Sequence, residues 1–170
     1  NDLFLYQEII FKNKPDILIE CGTEWGGSAL FFASIFDIIG KGQVITIDKS
    51  PKPNRPVHPR ITYLTGRSTS VEILTQVSEM IKGKTVMASL DSNHRRNHVK
   101  REVVHYGRLV TKGHFMVVED TTAMGRGRVD HQEPLEAVEW YLSKTDKFNR
   151  IPLEDRFILS LNGGGWLQKR

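Results

Sequence analysis

Short β-branched, apolar runs alternate along the chain with longer stretches in which apolar positions recur every three or four residues. The first kind predicts buried strands and the second helices packed on them. Strands are predicted over Asp16–Cys21, Gln43–Asp48, Arg60–Leu64, Thr85–Leu90 and His114–Glu119. Helices are predicted over Ser28–Ile39, Val71–Ile81, His98–Val110 and Pro134–Leu142, the last with proline at its start, where the missing N–H costs nothing. Near the end, Phe157–Leu161 and Trp166–Gln168 flank Asn162-Gly163-Gly164-Gly165, the signature of a hairpin. Repeated β-α units followed by a hairpin predict an α/β fold: one open, mostly parallel sheet with helices on both faces. Ligands of such sheets bind beyond the carboxyl ends of the strands, near the point where the strand order reverses.

Length and composition narrow the class. A chain of 170 residues, 39% hydrophobic and 26% charged, suits a single globular domain over residues 1–170 that needs no staples. Cys21 is the only cysteine, which excludes an intramolecular disulfide framework and Cys-rich zinc modules. No apolar run approaches the roughly 20 residues that span a bilayer. The chain opens Asn-Asp-Leu-Phe, with neither a basic leader nor an initiator Met. The expectation is a cytoplasmic protein whose N-terminal extension is absent from this sequence. A net charge of +4 tolerates an anionic partner but is too small to demand nucleic acid, and none is expected. The basic residues gather at Lys49–Arg60, Arg95–Arg101 and Arg126–Arg128, as a mildly basic rim to a site would.

The chemistry sits at the strand ends. The first strand closes on Glu20-Cys21-Gly22-Thr23-Glu24-Trp25-Gly26-Gly27-Ser28, where glycines allow close backbone approach and bare the N–H groups of the next helix. The spacing departs from the dinucleotide fingerprint G-x-G-x-x-G, which disfavours an NAD-dependent oxidoreductase. A tight strand-to-helix turn explains the isolated loop equally well. Asp48 ends the second strand, where a carboxylate can accept both hydroxyls of a ribose. Gly66 and Ser68 follow the third strand and could line a pocket for a base. Strand four ends in Asp91-Ser92-Asn93-His94 and strand five in Glu119-Asp120. Three carboxylates brought close repel one another unless a cation sits among them, and an all-oxygen set suits Mg²⁺ better than Zn²⁺. Taken singly, Asp91 or Ser92 could cap a helix and Asp120 could open a turn.

The acidic-x-Gly-x-x-x-Gly loop resembles motif I of class I S-adenosylmethionine (SAM) dependent methyltransferases. With it, LIECGTEWGGSALFFASIF, the DSNH tetrapeptide and LVTKGHFMVVED resemble the cephalosporin hydroxylase / rhamnosyl O-methyltransferase family, from about Asp16 through Leu167. The resemblance implies a Rossmann-like sheet of seven strands ending in an antiparallel hairpin. It also implies a SAM- and Mg²⁺-dependent O-methyltransferase acting on a hydroxyl of a small polar, sugar-containing acceptor. Its cofactor residues would be Glu20, Gly22, Thr23, Gly26, Ser28, Asp48, Ser68 and Asp91. Its metal ligands would be Asp91, Glu119 and Asp120, and its catalytic base His94. The family's N-terminal segment helps it oligomerise, which leaves room for a homo-oligomer. Two alternatives stay open: a catechol-like diol as acceptor, and a catalytically silent module that binds SAM or a nucleoside. The loop Thr121–Glu133, with Arg126 and Arg128, leaves the acceptor undefined.

Overall fold

The structure, a computed structural model, describes residues 2–122, 133–153 and 160–170. A helix, α1 (Asp2–Asn13), precedes β1 (Ile17–Cys21), α2 (Gly27–Ile39), β2 (Gln43–Asp48), β3 (Ile61–Thr65) and α3 (Val71–Met80). Then come β4 (Val86–Leu90), α4 (Arg96–Leu109), β5 (Phe115–Val118), α5 (Glu133–Leu142), β6 (Phe148–Arg150) and β7 (Trp166–Lys169). The seven strands form one sheet in the order β3-β2-β1-β4-β5-β7-β6. β1 to β5 are parallel, and β7 runs antiparallel to both neighbours. This is the doubly wound sheet with antiparallel C-terminal strands expected from the sequence. The antiparallel partner differs: β7 pairs with Phe148–Arg150, while Ser160 and Leu161 are not in a strand and residues 157–159 lie outside the described ones.

Alternation along each strand sends side chains to two cores. Ile17, Ile19 and Cys21 of β1 join Ile73, Val103, Tyr106 and Val138 from α3, α4 and α5 on one face. Leu18, Val44, Met87 and Val117 join Leu5, Ile9 and Ile10 of α1 and Phe32 and Phe36 of α2 on the other. Each fully buried Val, Leu, Ile, Phe or Met side chain among them contributes about 1.5–3 kcal/mol relative to exposure. Helix ends follow from local chemistry. Ser70 caps α3 by accepting from the Ile73 N–H at 3.4 Å. α2 ends at Gly40, whose left-handed backbone lets its N–H reach the carbonyls of Phe36 and Asp37. Because the order reverses between β1 and β4, a crevice opens above their carboxyl ends.

Candidate active site

Gly22 lies at that crevice with φ +105°, and a Cβ built on it would lie 2.0 Å from the carbonyl oxygen of Asp91. The Asp91 N–H donates to the Cys21 carbonyl at 2.8 Å, so the ends of β1 and β4 are laced together with room only for glycine. Two adjoining cavities open there, of about 640 and 450 Å³, and share Gly22, Asp48, Lys49 and Ser92. Asp91, His94, Asp120, Thr23 and Ser28 line the larger. Gly66, Ser68, Asn93 and His98 line the smaller.

The residues expected to hold the cofactor separate into those that face the cavities and those that support them. Asp48 faces both, with Oδ2 accepting from the Glu24 N–H at 2.8 Å and Oδ1 from the Ser50 N–H at 3.0 Å. Arg55 Nη2 also stands 3.6 Å from Oδ2, and the remaining lone pairs of the carboxylate can accept ligand hydroxyls. Glu20 lines neither cavity. It is buried beneath the loop, accepting from Thr46 Oγ1 and from Ser28, while Thr46 Oγ1 meets Thr23 Oγ1 at 2.6 Å. Burial pushes the Glu20 carboxyl up to about 7. Gly26, with φ +78°, is the N-cap residue just before α2 and packs beside Tyr63 and Pro56. Ser68 borders the smaller cavity, but its hydroxyl donates to the buried Glu102 Oε1 at 2.5 Å. Ser92 donates to the same oxygen at 2.6 Å, and His98 Nε2 lies 3.3 Å from it. This hub joins the loops after β3 and β4. Its i,i+4 acid–histidine spacing is visible in the sequence, and its serine partners are not.

Asp91, His94 and Asp120 converge at the mouth of the larger cavity, their candidate ligand atoms within 4.8 Å of one another. His94 Nε2 lies 3.0 Å from Asp91 Oδ1 and 3.7 Å from Asp120 Oδ2. The hydrogen bond to Asp91 raises the His94 pKa, against the opposing effect of burial. Asp120 has a left-handed backbone, φ 55°, and its N–H donates to Asn162 Oδ1 at 3.0 Å. Glu119 stands outside that trio. Its Oε1 accepts from Tyr6 at 2.7 Å and from Ser89 Oγ at 2.8 Å. Burial, and then the charge of Asp91, push the Glu119 carboxyl up to about 7. Crowded carboxylates with a histidine at hand fit a divalent cation, because a cation relieves the repulsion that Glu119 registers. Open space above Gly27, where a Cβ would meet nothing within 4 Å, fits a ligand lying on the start of α2. Trp25, 56% exposed, stands at the rim with Lys52 Nζ 5.3 Å from its ring centroid. Arg126 and Arg128 lie outside the described residues.

Known proteins share this arrangement of elements. CmcI in a Mg–SAM form superposes with a TM-score of 0.69 at 18% identity, covering 98% of this chain and 70% of that one. MycE methyltransferase from the mycinamycin biosynthetic pathway, in complex with Mg and SAH, gives 0.66 at 18% identity over 97% of this chain and 48% of that one. These likenesses establish the fold, that of class I methyltransferases. In sequence, the Rhamnosyl O-methyltransferase of Mycobacterium tuberculosis (strain ATCC 25618 / H37Rv) is 35% identical over 150 residues, 83% of this chain but 61% of the relative's length. The enzyme of the same name from Mycobacterium leprae (strain TN) is 35% identical over 180 residues, covering 100% of this chain and 78% of the relative. The family model described as Rhamnosyl O-methyltransferase/CmcI matches residues 1–170, so a chain that carries the Gly22 crevice and the paired strand-end acids along its full length belongs to that family.

Proposed function

We propose that the chain is a SAM- and Mg²⁺-dependent O-methyltransferase whose acceptor is a hydroxyl of a sugar-bearing small molecule. The observation that carries this reading is the convergence of Asp91, His94 and Asp120 at the lip of the crevice over Gly22. The relatives' name supports a rhamnosyl group as the acceptor. The Mg–SAM form of CmcI supports both cofactors.

Each residue has a task in this reaction. Asp48 accepts the ribose hydroxyls, and the smaller cavity beside Ser68 and Asn93 takes the adenine. Gly22 lets the ends of β1 and β4 close up under the donor, and the buried Glu20–Thr46–Thr23 network keeps the loop beneath it rigid. Transfer is an in-line displacement: the acceptor oxygen bonds to the methyl carbon while the carbon–sulfur bond breaks, leaving S-adenosylhomocysteine and a methyl ether. Asp91, Glu119 and Asp120 would hold Mg²⁺, with Glu119 supplying the third carboxylate from beside the trio. Bound there, the ion supplies Lewis acidity that lowers the pKa of the acceptor hydroxyl. His94 takes the proton as the general base. Its hydrogen bond to Asp91 raises its basicity, and neutralising Asp91 brings it back toward an ordinary imidazole able to accept.

The test is a pair of variants assayed with SAM and a rhamnoside. Asp91→Ala is expected to abolish transfer while leaving most of the SAM affinity. His94→Ala is expected to lower the rate about 10²–10⁴-fold with little change in SAM affinity. An unchanged rate in His94→Ala would remove it as the base.

A further inference from the structure

Helix α1 reaches the proposed metal site from below. Tyr6, 2% exposed, lies under the end of β5 and donates its phenol proton to Glu119 Oε1 at 2.7 Å. Ser89 of β4 donates to the same oxygen at 2.8 Å, and the two hydroxyls lie 2.9 Å apart. Three elements thus meet at one carboxylate oxygen, which accepts from two neighbouring hydroxyls, and this fixes the orientation of the group. The phenol itself has little freedom, since its ring meets Phe32 at 5.0 Å and Trp166 at 5.1 Å between centroids. The start of α1 is tied as well: Asp2 accepts from Ser160 Oγ at 2.6 Å and from the Leu161 N–H at 3.0 Å. Those residues lead directly into Asn162, which receives the Asp120 N–H. One helix therefore bears on both members of the Glu119–Asp120 pair.

We infer that Tyr6 is a positioning residue of the metal site, its phenol together with Ser89 orienting Glu119 and so setting the affinity of the carboxylate cluster for a divalent cation. The inference rests on the metal reading above. A Tyr6 that merely fills the core would be replaced by phenylalanine without consequence for the site, because the ring contacts persist and only the hydroxyl goes. A Tyr6 that orients Glu119 would not be. Outer-shell partners of metal ligands typically matter by about 10–100-fold in metal affinity.

The experiment is calorimetric titration of Mg²⁺ into the wild type and Tyr6→Phe, each saturated with S-adenosylhomocysteine so that no turnover occurs. The expected result is a rise in the Mg²⁺ Kd of about 10-fold or more, with S-adenosylhomocysteine binding unchanged within about twofold. Ser89→Ala is expected to move the Mg²⁺ Kd in the same direction, and it carries the test if Tyr6→Phe fails to fold. Mg²⁺ affinity equal to the wild type in the folded variant overturns the role of Tyr6 and leaves the metal site standing. A wild type that binds no Mg²⁺ overturns the metal site and this inference together.

Discussion

Gly22→Ala strikes the point where fold and site meet. The new Cβ would stand 2.0 Å from the Asp91 carbonyl oxygen and 2.6 Å from its carbon, both backbone atoms that no rotamer change can move. Restoring contact distance requires the ends of β1 and β4 to part by about 1 Å, which costs roughly 1–3 kcal/mol as overpacking. The φ of +105° adds about 1–3 kcal/mol for a residue with a side chain. The total, about 2–6 kcal/mol, is a large share of the 5–15 kcal/mol typical of domain stability. Parting the strands also moves Asp91, and a misplacement of about 1 Å can lower a rate by about 10²-fold. Urea denaturation followed by circular dichroism reads the first effect, and SAM titration with a transfer assay reads the second. Gly27→Ala is the control, because its Cβ meets nothing within 4 Å and its φ carries no strain. That variant should keep its stability within about 0.5 kcal/mol and lose SAM affinity, since the Cβ enters the larger cavity. A Gly22→Ala protein as stable as the wild type, with unchanged SAM binding, would refute the reasoning.

Other outcomes follow from the buried acids and the turn before β7. Glu20 titrates near 7 when folded against an ordinary 4.5, so the folded state holds the extra proton between these values and stability falls as pH rises through that window. Glu20→Gln should shrink this fall by a few kcal/mol, on the order of the linked shift, in urea titrations at the two ends of the window; an unchanged slope would refute the assignment. Asn162→Ala removes the acceptor of the Asp120 N–H and is expected to destabilise by about 1–3 kcal/mol and to weaken Mg²⁺ binding. Calorimetric Mg²⁺ titration checks the second effect, and wild-type affinity would show that Asp120 keeps its pose unaided.

Much of this was legible in the sequence, for physical reasons. Central parallel strands are buried on both faces, so DILIEC, QVITID and TVMASL read as continuous apolar runs, and the observed β1, β2 and β4 match them to within one residue at each end. Helix α1 was not legible. Its buried Leu5, Tyr6, Ile9 and Ile10 have helical spacing, but exposed Leu3, Phe4 and Phe11 blur the polar face that would have announced it. β6 was missed because only Phe148 of its three residues is buried. The paired acids were legible as strand-end carboxylates, since the topology of a doubly wound sheet brings such ends together. Contacts closed only by the tertiary fold were not. Tyr6 lies 113 positions from Glu119, so nothing local marks the pair. Ser68, expected to line a pocket for a base, borders the smaller cavity, while its hydroxyl is given to Glu102 in α4, one turn past His98.

The measurement that bears most directly on the central claim is transfer of a labelled methyl group from SAM to a rhamnoside across a Mg²⁺ titration, with EDTA as the stop. The account predicts transfer to a sugar hydroxyl that vanishes in excess EDTA and returns when Mg²⁺ is restored. Undiminished transfer in excess EDTA would contradict it.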